Sequence, residues 1–243
     1  MTHDPVISAR SLGRRYGVTD VLCDVDVDVR GGEVLGLVGP NGGGKSTLLL
    51  LLAGLVHPTS GEVRIHGLHA HEVALQASGK IGLVTAESGL YPLLTGWENL
   101  DFFGQLHGLS TATVRQRGAE VGARLGLLDD QLCRVAGTYS SGMRQKLSLV
   151  RSLLTSPQAL LLDEATANLD PLVAWTLYDA IREQADSGVA VVLCTHDLHA
   201  AEGLCERVLA LDKTVIACVE QGGERAAPQA SALLQHFRRG SGA

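Results

Sequence analysis

Aromatic side chains are scarce in this 243-residue chain, at 4%, and charged residues are held to 19% while 45% of residues are hydrophobic. Intrinsic disorder needs the opposite balance, so it is excluded, as are collagenous and low-complexity chains. Long apolar runs are missing: the longest, Leu48 to Val56, has nine residues, against about 20 for a helix that crosses a bilayer. Basic runs are missing too, since no Lys/Arg stretch exceeds two residues and the formal net charge is −6. A nucleic-acid binder carries a basic stripe that releases counterions, so no nucleic-acid partner is expected. The five cysteines (Cys23, Cys133, Cys194, Cys205, Cys218) are odd in number, scattered and without C-x-x-C spacing, and they read as reduced thiols. Met1-Thr2-His3-Asp4-Pro5 has neither the basic start nor the apolar run of a secretory signal, which predicts a cytoplasmic location. No internal repeat is present, which excludes two fused copies of one domain.

What is there is an alternation of short apolar runs with longer segments. Val25, Val27 and Val29 alternate with Asp24, Asp26 and Asp28, so Val21 to Arg30 reads as a half-buried strand. Val34 to Val38 is wholly apolar, as in a sheet covered on both faces. Ile81–Val84, Ala159–Leu162, Val189–Cys194 and Val208–Leu211 are similar runs, separated by enough chain for crossover helices. This pattern predicts an α/β fold with a mainly parallel sheet. Between about Tyr91 and Pro157 the strand rhythm stops, and Met143, Leu147, Val150 and Leu154 recur at helix spacing, which predicts a helical insertion. Residues 221–243 lose the rhythm and read as a loose tail around one short helix.

Gly39-Pro40-Asn41-Gly42-Gly43-Gly44-Lys45-Ser46 fits G-x-x-x-x-G-K-[ST] and lies between the buried run and a leucine-rich helix. Glycines let successive N–H groups converge on phosphate oxygens, and the helix beginning near Ser46 adds its positive end. Lys45 would bridge the β- and γ-phosphates and Ser46 would ligate Mg²⁺. Ala159 to Leu162 ends in Asp163-Glu164, which puts Asp163 at the carboxyl edge of the sheet, where a nucleotide's metal sits. Glu164 then faces the γ-phosphate and would polarise the attacking water. His66-Gly67-Leu68-His69-Ala70-His71 hints at a metal cluster but reads better as a solvated hairpin.

Tyr139-Ser140-Ser141-Gly142-Met143-Arg144-Gln145-Lys146 resembles the signature sequence of ATP-binding cassette (ABC) ATPases, whose commonest form is Leu-Ser-Gly-Gly-Gln. The chain keeps the serine and the second glycine and differs at Tyr139, Ser141 and Met143. Read alone, Ser-Ser-Gly before a helix is an N-cap, and a capped helix start is also an anion site. Other landmarks follow in the family's order. Tyr16 matches the aromatic that stacks on adenine, although it also suits a core position. Ala167-Asn168-Leu169-Asp170 resembles the D-loop, while Asp170-Pro171 is equally an ordinary helix start. His196, after an apolar run, matches the switch histidine that contacts the γ-phosphate. The resemblance covers about Val6 to Cys218. One departure stands out: family members usually carry a glutamine, touching Mg²⁺ and the attacking water, where this chain has Ala86. A methyl group does neither, so water, Glu87 or Ser88 would have to substitute.

The resemblance implies a P-loop NTPase fold of the ABC type: a mainly parallel core sheet, an N-terminal antiparallel β subdomain and an inserted helical subdomain. It implies one ABC ATPase domain over 1–220, with its core at about 1–90 and 157–220 and the helical part at about 91–156. ATP and Mg²⁺ are the implied cofactors. Tyr16, Gly39 to Thr47, Ser140, Ser141, Gly142 and Asp170 are the implied nucleotide contacts; Ser46 and Asp163 are the metal ligands, and Glu164 and His196 the catalytic pair. It further implies a head-to-tail homodimer around two ATP molecules, and transmembrane permease partners contacted through Gly89 to Leu94 and the helix from Trp97 to Leu106. That predicts a place on the cytoplasmic face of the cell membrane. The Tyr-Ser-x-Gly-Met signature with the missing glutamine is similar to exporter ATPases, including those resembling sodium-extrusion pumps. Two other classes stay open: a soluble ABC ATPase acting on nucleic acid or ribosomes, and a nucleotide-sensing module with little turnover.

Overall fold

The structure is a computed structural model that describes residues 4–75, 79–167 and 169–220. The expected tail over 221–243, Asn168 and the start Met1 to His3 lie outside the described residues. In chain order the elements are β1 (Ile7–Tyr16), β2 (Thr19–Val29), β3 (Val34–Val38), α1 (Lys45–Leu52), β4 (Ser60–Ile65), β5 (Leu68–His69), α2 (Ala70–Leu75) and β6 (Ile81–Val84). There follow α3 (Gly96–Leu106), α4 (Thr111–Arg124), α5 (Asp129–Leu132), a 3-10 turn at Ala136–Thr138 and α6 (Ser141–Leu153). The chain then returns to the sheet with β7 (Ala159–Asp163), α7 (Pro171–Asp186), β8 (Ala190–Cys194), α8 (Leu198–Leu204), β9 (Arg207–Asp212) and β10 (Thr214–Glu220).

These strands make two sheets: an antiparallel one in the order β2-β1-β4-β5, and a six-stranded one in the order β10-β9-β3-β8-β7-β6. The second is parallel except where β10 pairs with β9. The expected α/β P-loop architecture, with a β layer and a helical insertion between β6 and β7, is the one observed. Period-two geometry explains why its central strands look wholly apolar. Val34, Val38, Leu160, Leu162, Val191 and Leu193 enter one core with α4, α6 and α7. Leu35, Leu37, Leu161, Val192 and Cys194 enter the other, with α1 and the antiparallel sheet. Both faces are dry, so neither set of positions tolerates a polar residue.

The helical insertion is pinned at its start. Thr95 Oγ1 accepts from Glu98 N–H at 3.1 Å and the Glu98 carboxylate accepts from Thr95 N–H at 2.7 Å, a reciprocal cap on α3. The bond from Thr95 N–H first, and a second from Thr95 Oγ–H at 2.8 Å, hold the Glu98 carboxyl below its ordinary value. One turn on, Asn99 is 0% exposed. It accepts from Tyr91 N–H at 2.8 Å and donates to the carbonyls of Tyr91 (3.0 Å) and Thr95 (2.9 Å), fixing the loop before the helix. Asn99→Ala orphans these groups and is expected to cost about 2–3 kcal/mol. The melting temperature of the purified chain should fall by about 5–10 °C.

Candidate active site

Strand β3 delivers the chain to Gly39, and α1 begins at Lys45. The turn between them can exist because of two glycines. A Cβ on Gly39 would lie 2.1 Å from the Leu211 carbonyl oxygen, so the loop sits directly against the end of β9. Gly44 caps α1 at φ 95°, a left-handed conformation that side chains resist. The loop is also tied from behind: Gly43 N–H donates to Pro40 O at 3.1 Å, and Lys213 N–H donates to Gly43 O at 2.9 Å. Lys213 in turn accepts from Cys23 N–H at 2.7 Å, which joins the loop to β2.

Lys45 is 7% exposed, and its Nζ donates to Gly39 O at 2.9 Å and Pro40 O at 3.0 Å. The ammonium is thus folded back over its own loop. The first turn of α1 carries no acidic residue to compete with an anion. Val21, Asn41, Gly42, Gly44, Lys45, Ser46, Thr47, Asp163 and Glu164 line one cleft of about 350 Å³. Residues of the glycine loop and the strand-end carboxylates therefore face the same space.

Asp163 ends β7, and its Oδ1 is buried without a hydrogen-bond partner. A buried carboxylate oxygen left open beside a serine hydroxyl suits a hard divalent cation, so the donor set fits Mg²⁺. Across the sheet Asp163 is in register with Cys194. Burial first, and the Asp163 charge second, push the Cys194 thiol well above its ordinary value, so it stays uncharged there. Glu164 turns at φ 51°, unusual for a residue with a side chain, and its N–H donates to Cys194 O at 3.0 Å. Its Oε2 lies 2.8 Å from Nδ1 of His196, just past β8. Oε1 is left as a second acceptor on a residue that lines the cleft.

The other expected contacts lie apart from this cleft. Ser140 caps α6, its Oγ accepting from Met143 N–H at 3.2 Å. Gly142 packs so closely on Val173 that a Cβ would sit 3.0 Å from it. Ser141 lines a separate groove of about 600 Å³ with Thr85, Ala86, Ala167 and Leu169. Asp170 caps α7, its Oδ1 accepting from Leu172 N–H at 2.9 Å. Tyr16 ends β1 at the hairpin leading to Val21, with the Arg14 guanidinium 4.4 Å over its ring. His57, missed in the sequence, brings its ring within 5.1 Å of His71, and His69 is 5.6 Å from His71. Even so, no group of three such side chains among the described residues is arranged to hold a metal. Sequence reading also missed Leu211 and Lys213, which act through main-chain atoms and carry no residue-type signal.

A strand, a glycine loop closing on a lysine, and carboxylates at the end of a neighbouring strand define a P-loop nucleoside triphosphatase. A family model described as ABC transporter matches residues 22–167. An uncharacterized ABC transporter ATP-binding protein of Bacillus subtilis, YdbJ, is 37% identical over 86% of this chain and 67% of its own. The daunorubicin resistance ATP-binding protein DrrA3 of Streptomyces coeruleorubidus is 36% identical over 86% of this chain and 66% of its own. This chain thus spans about two thirds of the length of these curated relatives. A dimeric ATP-binding cassette solved in a post-hydrolysis state with ADP and Pi superposes with TM-score 0.82 at 26% identity, covering 90% of this chain and 100% of that one. The chain belongs to the ABC transporter family, as an ATP-binding ATPase subunit, and its relatives include resistance and export proteins.

Proposed function

We propose that the chain hydrolyses ATP to drive an export transporter whose membrane-spanning part is a separate chain. The observation that carries this is the single cleft in which Lys45, Ser46, Asp163 and Glu164 meet. In this reading Lys45 Nζ leaves the carbonyls of Gly39 and Pro40 for the β- and γ-phosphates, while the amides of Asn41 to Thr47 surround the phosphate tail. Ser46 and Asp163 would hold Mg²⁺, which when bound neutralises charge on the phosphate oxygens. Glu164 Oε1 takes the proton of the attacking water, and His196, paired to Oε2, keeps the carboxylate turned toward the cleft.

The same proposal includes a homodimer around ATP. Ser140, Ser141 and Gly142 of one copy would meet phosphate held by the other, with Asp170 beside them, because a capped helix start attracts anions. It treats 1–220 as one ABC ATPase domain whose helices at about 91–156 form a subdomain. Export is supported by the relatives named for Nod factor export and daunorubicin resistance. Among the described residues no helix is long and apolar enough to cross a membrane. Attachment to the cytoplasmic face would then run through exposed apolar surface on the insertion. Leu93 is 88% and Leu106 58% exposed. Beside them Tyr91, Phe102 and Phe103 form an aromatic cluster, Tyr91 meeting Phe102 edge-on at 4.9 Å. Steady-state phosphate release, alone and with the co-expressed permease, tests the proposal. Release that the permease accelerates supports it; none under either condition favours the nucleotide-sensing module that Ala86 suggests.

Tyr16 would stack on the adenine. Its replacement by alanine should weaken ATP binding about tenfold, within the range of a base–aromatic stack. Titration with a fluorescent ATP analogue reads this directly.

A further inference from the structure

One stripe of α6 is stitched to the main chain of residues 83–89. Gln145 Nε2 donates to the carbonyls of Thr85 at 3.1 Å and Ala86 at 3.2 Å. Ser148 Oγ donates to Ser88 O at 3.1 Å, Arg151 Nη1 to Gly89 O at 3.0 Å, and Ser152 Oγ to Leu83 O at 3.0 Å. Positions 145, 148, 151 and 152 share one helix face, so these bonds form a continuous row. All four side chains grip backbone carbonyls. The row therefore fixes the path of the segment whatever side chain stands at position 86.

Gln145 is the member of the row closest to the hydrolytic cleft. β6 runs parallel to β7 with Val84 opposite Leu162, which brings Thr85 level with Asp163. Gln145 is 6% exposed, and both hydrogens of its amide are spent on the two residues just past the strand end. Its helix starts at Ser140, the cap that would face the second copy's phosphate.

We propose that Gln145 is a positioning residue for ATP hydrolysis: its paired N–H bonds lock the end of β6, beside Asp163, to the signature helix, so that the two move together. A shift of the α6 N-terminus is thereby handed to the neighbourhood of the metal-binding carboxylate. This rests on the hydrolytic reading of Asp163 and Glu164 and adds a residue outside the cleft to it.

The test is steady-state phosphate release by the full chain with Mg-ATP and its permease, for wild type, Gln145→Ala and Gln145→Glu, from about pH 5.5 to 8.5. Gln145→Ala should lower kcat about tenfold or more while KM for ATP stays within about twofold, because the side chain does not reach the nucleotide. Gln145→Glu, ionised, offers acceptors to two carbonyls and should lose at least as much. Protonated, it regains one O–H donor, so its activity relative to wild type should rise as pH falls while the Gln145→Ala ratio stays flat. Arg144 and Glu87, the charged groups lining the same groove, are common to all three proteins and cancel in the ratio. The proposal is overturned by a kcat within about twofold of wild type in both variants, by a flat ratio for Gln145→Glu, or by parallel losses of KM and nucleotide-dependent thermal protection. If Gln145→Ala does not fold, the pH ratio of Gln145→Glu decides alone. An inert wild type would instead sink the hydrolytic reading, and is recognised before any variant is compared.

Discussion

Replacing Lys45 with alanine should abolish ATP binding while leaving the fold standing. The ammonium is nearly buried and makes two main-chain contacts inside its own loop. In the bound state those two contacts would be exchanged for charge-assisted bonds to phosphate, each worth about 1.5–3 kcal/mol. Their loss amounts to about 3–6 kcal/mol, or roughly two to four orders of magnitude in affinity. Millimolar Mg-ATP should raise the melting temperature of wild type and leave that of Lys45→Ala unchanged. The loop itself should persist in the variant, because Gly43 remains held by Lys213 and Pro40 through the backbone. Thermal protection retained by Lys45→Ala would count against the cleft as the phosphate site.

Glu164→Gln should do the reverse, keeping ATP and losing turnover. A glutamine has nearly the carboxylate's shape, and its amide oxygen can still accept from His196 Nδ1, which sits 2.8 Å from Oε2. The backbone at φ 51° and the bond to Cys194 O do not depend on the side chain. What disappears is the acceptor for the water's proton, so phosphate release should fall by about 10²–10⁴-fold. Since ATP is then bound but not cut, the variant should accumulate as a dimer, read by size exclusion in Mg-ATP. A variant that turns over at the wild-type rate would remove Glu164 from the chemistry; one that binds ATP yet stays monomeric would remove the sandwich.

The residues of the candidate cleft could be picked out because its parts are local. Gly39 to Ser46 is one contiguous turn whose glycines are required by close approach and by a left-handed φ, and Asp163-Glu164 closes a run of buried leucines. β3, β7 and β8 were equally plain, since burial on both faces leaves no polar residue to blur them. β1 was not seen. Its pairing with β2 shifts between Ala9 and Leu12, where Ser11 adopts φ 45°, between Leu12 and Arg14 and between Arg14 and Arg15, so the period-two pattern is broken three times in ten residues. β10 was not singled out either, although Val215 to Val219 is an apolar run, and it pairs only at the sheet edge. The row on α6 escaped notice for another reason. Gln145, Ser148 and Ser152 look like the wet side of an amphipathic helix, and nothing in their identity says that carbonyl groups 60 or more residues earlier await them.

The turn between β9 and β10 has a bearing on how the molecule is made. Lys213 touches the phosphate loop through its N–H and β2 through its carbonyl, so Gly43 and Cys23 lean on a residue far later in the sequence. A growing chain that has emerged only through β8 lacks that brace, and long-range contacts of this kind form late. Full bracing of the phosphate loop therefore waits until the edge hairpin has closed against it.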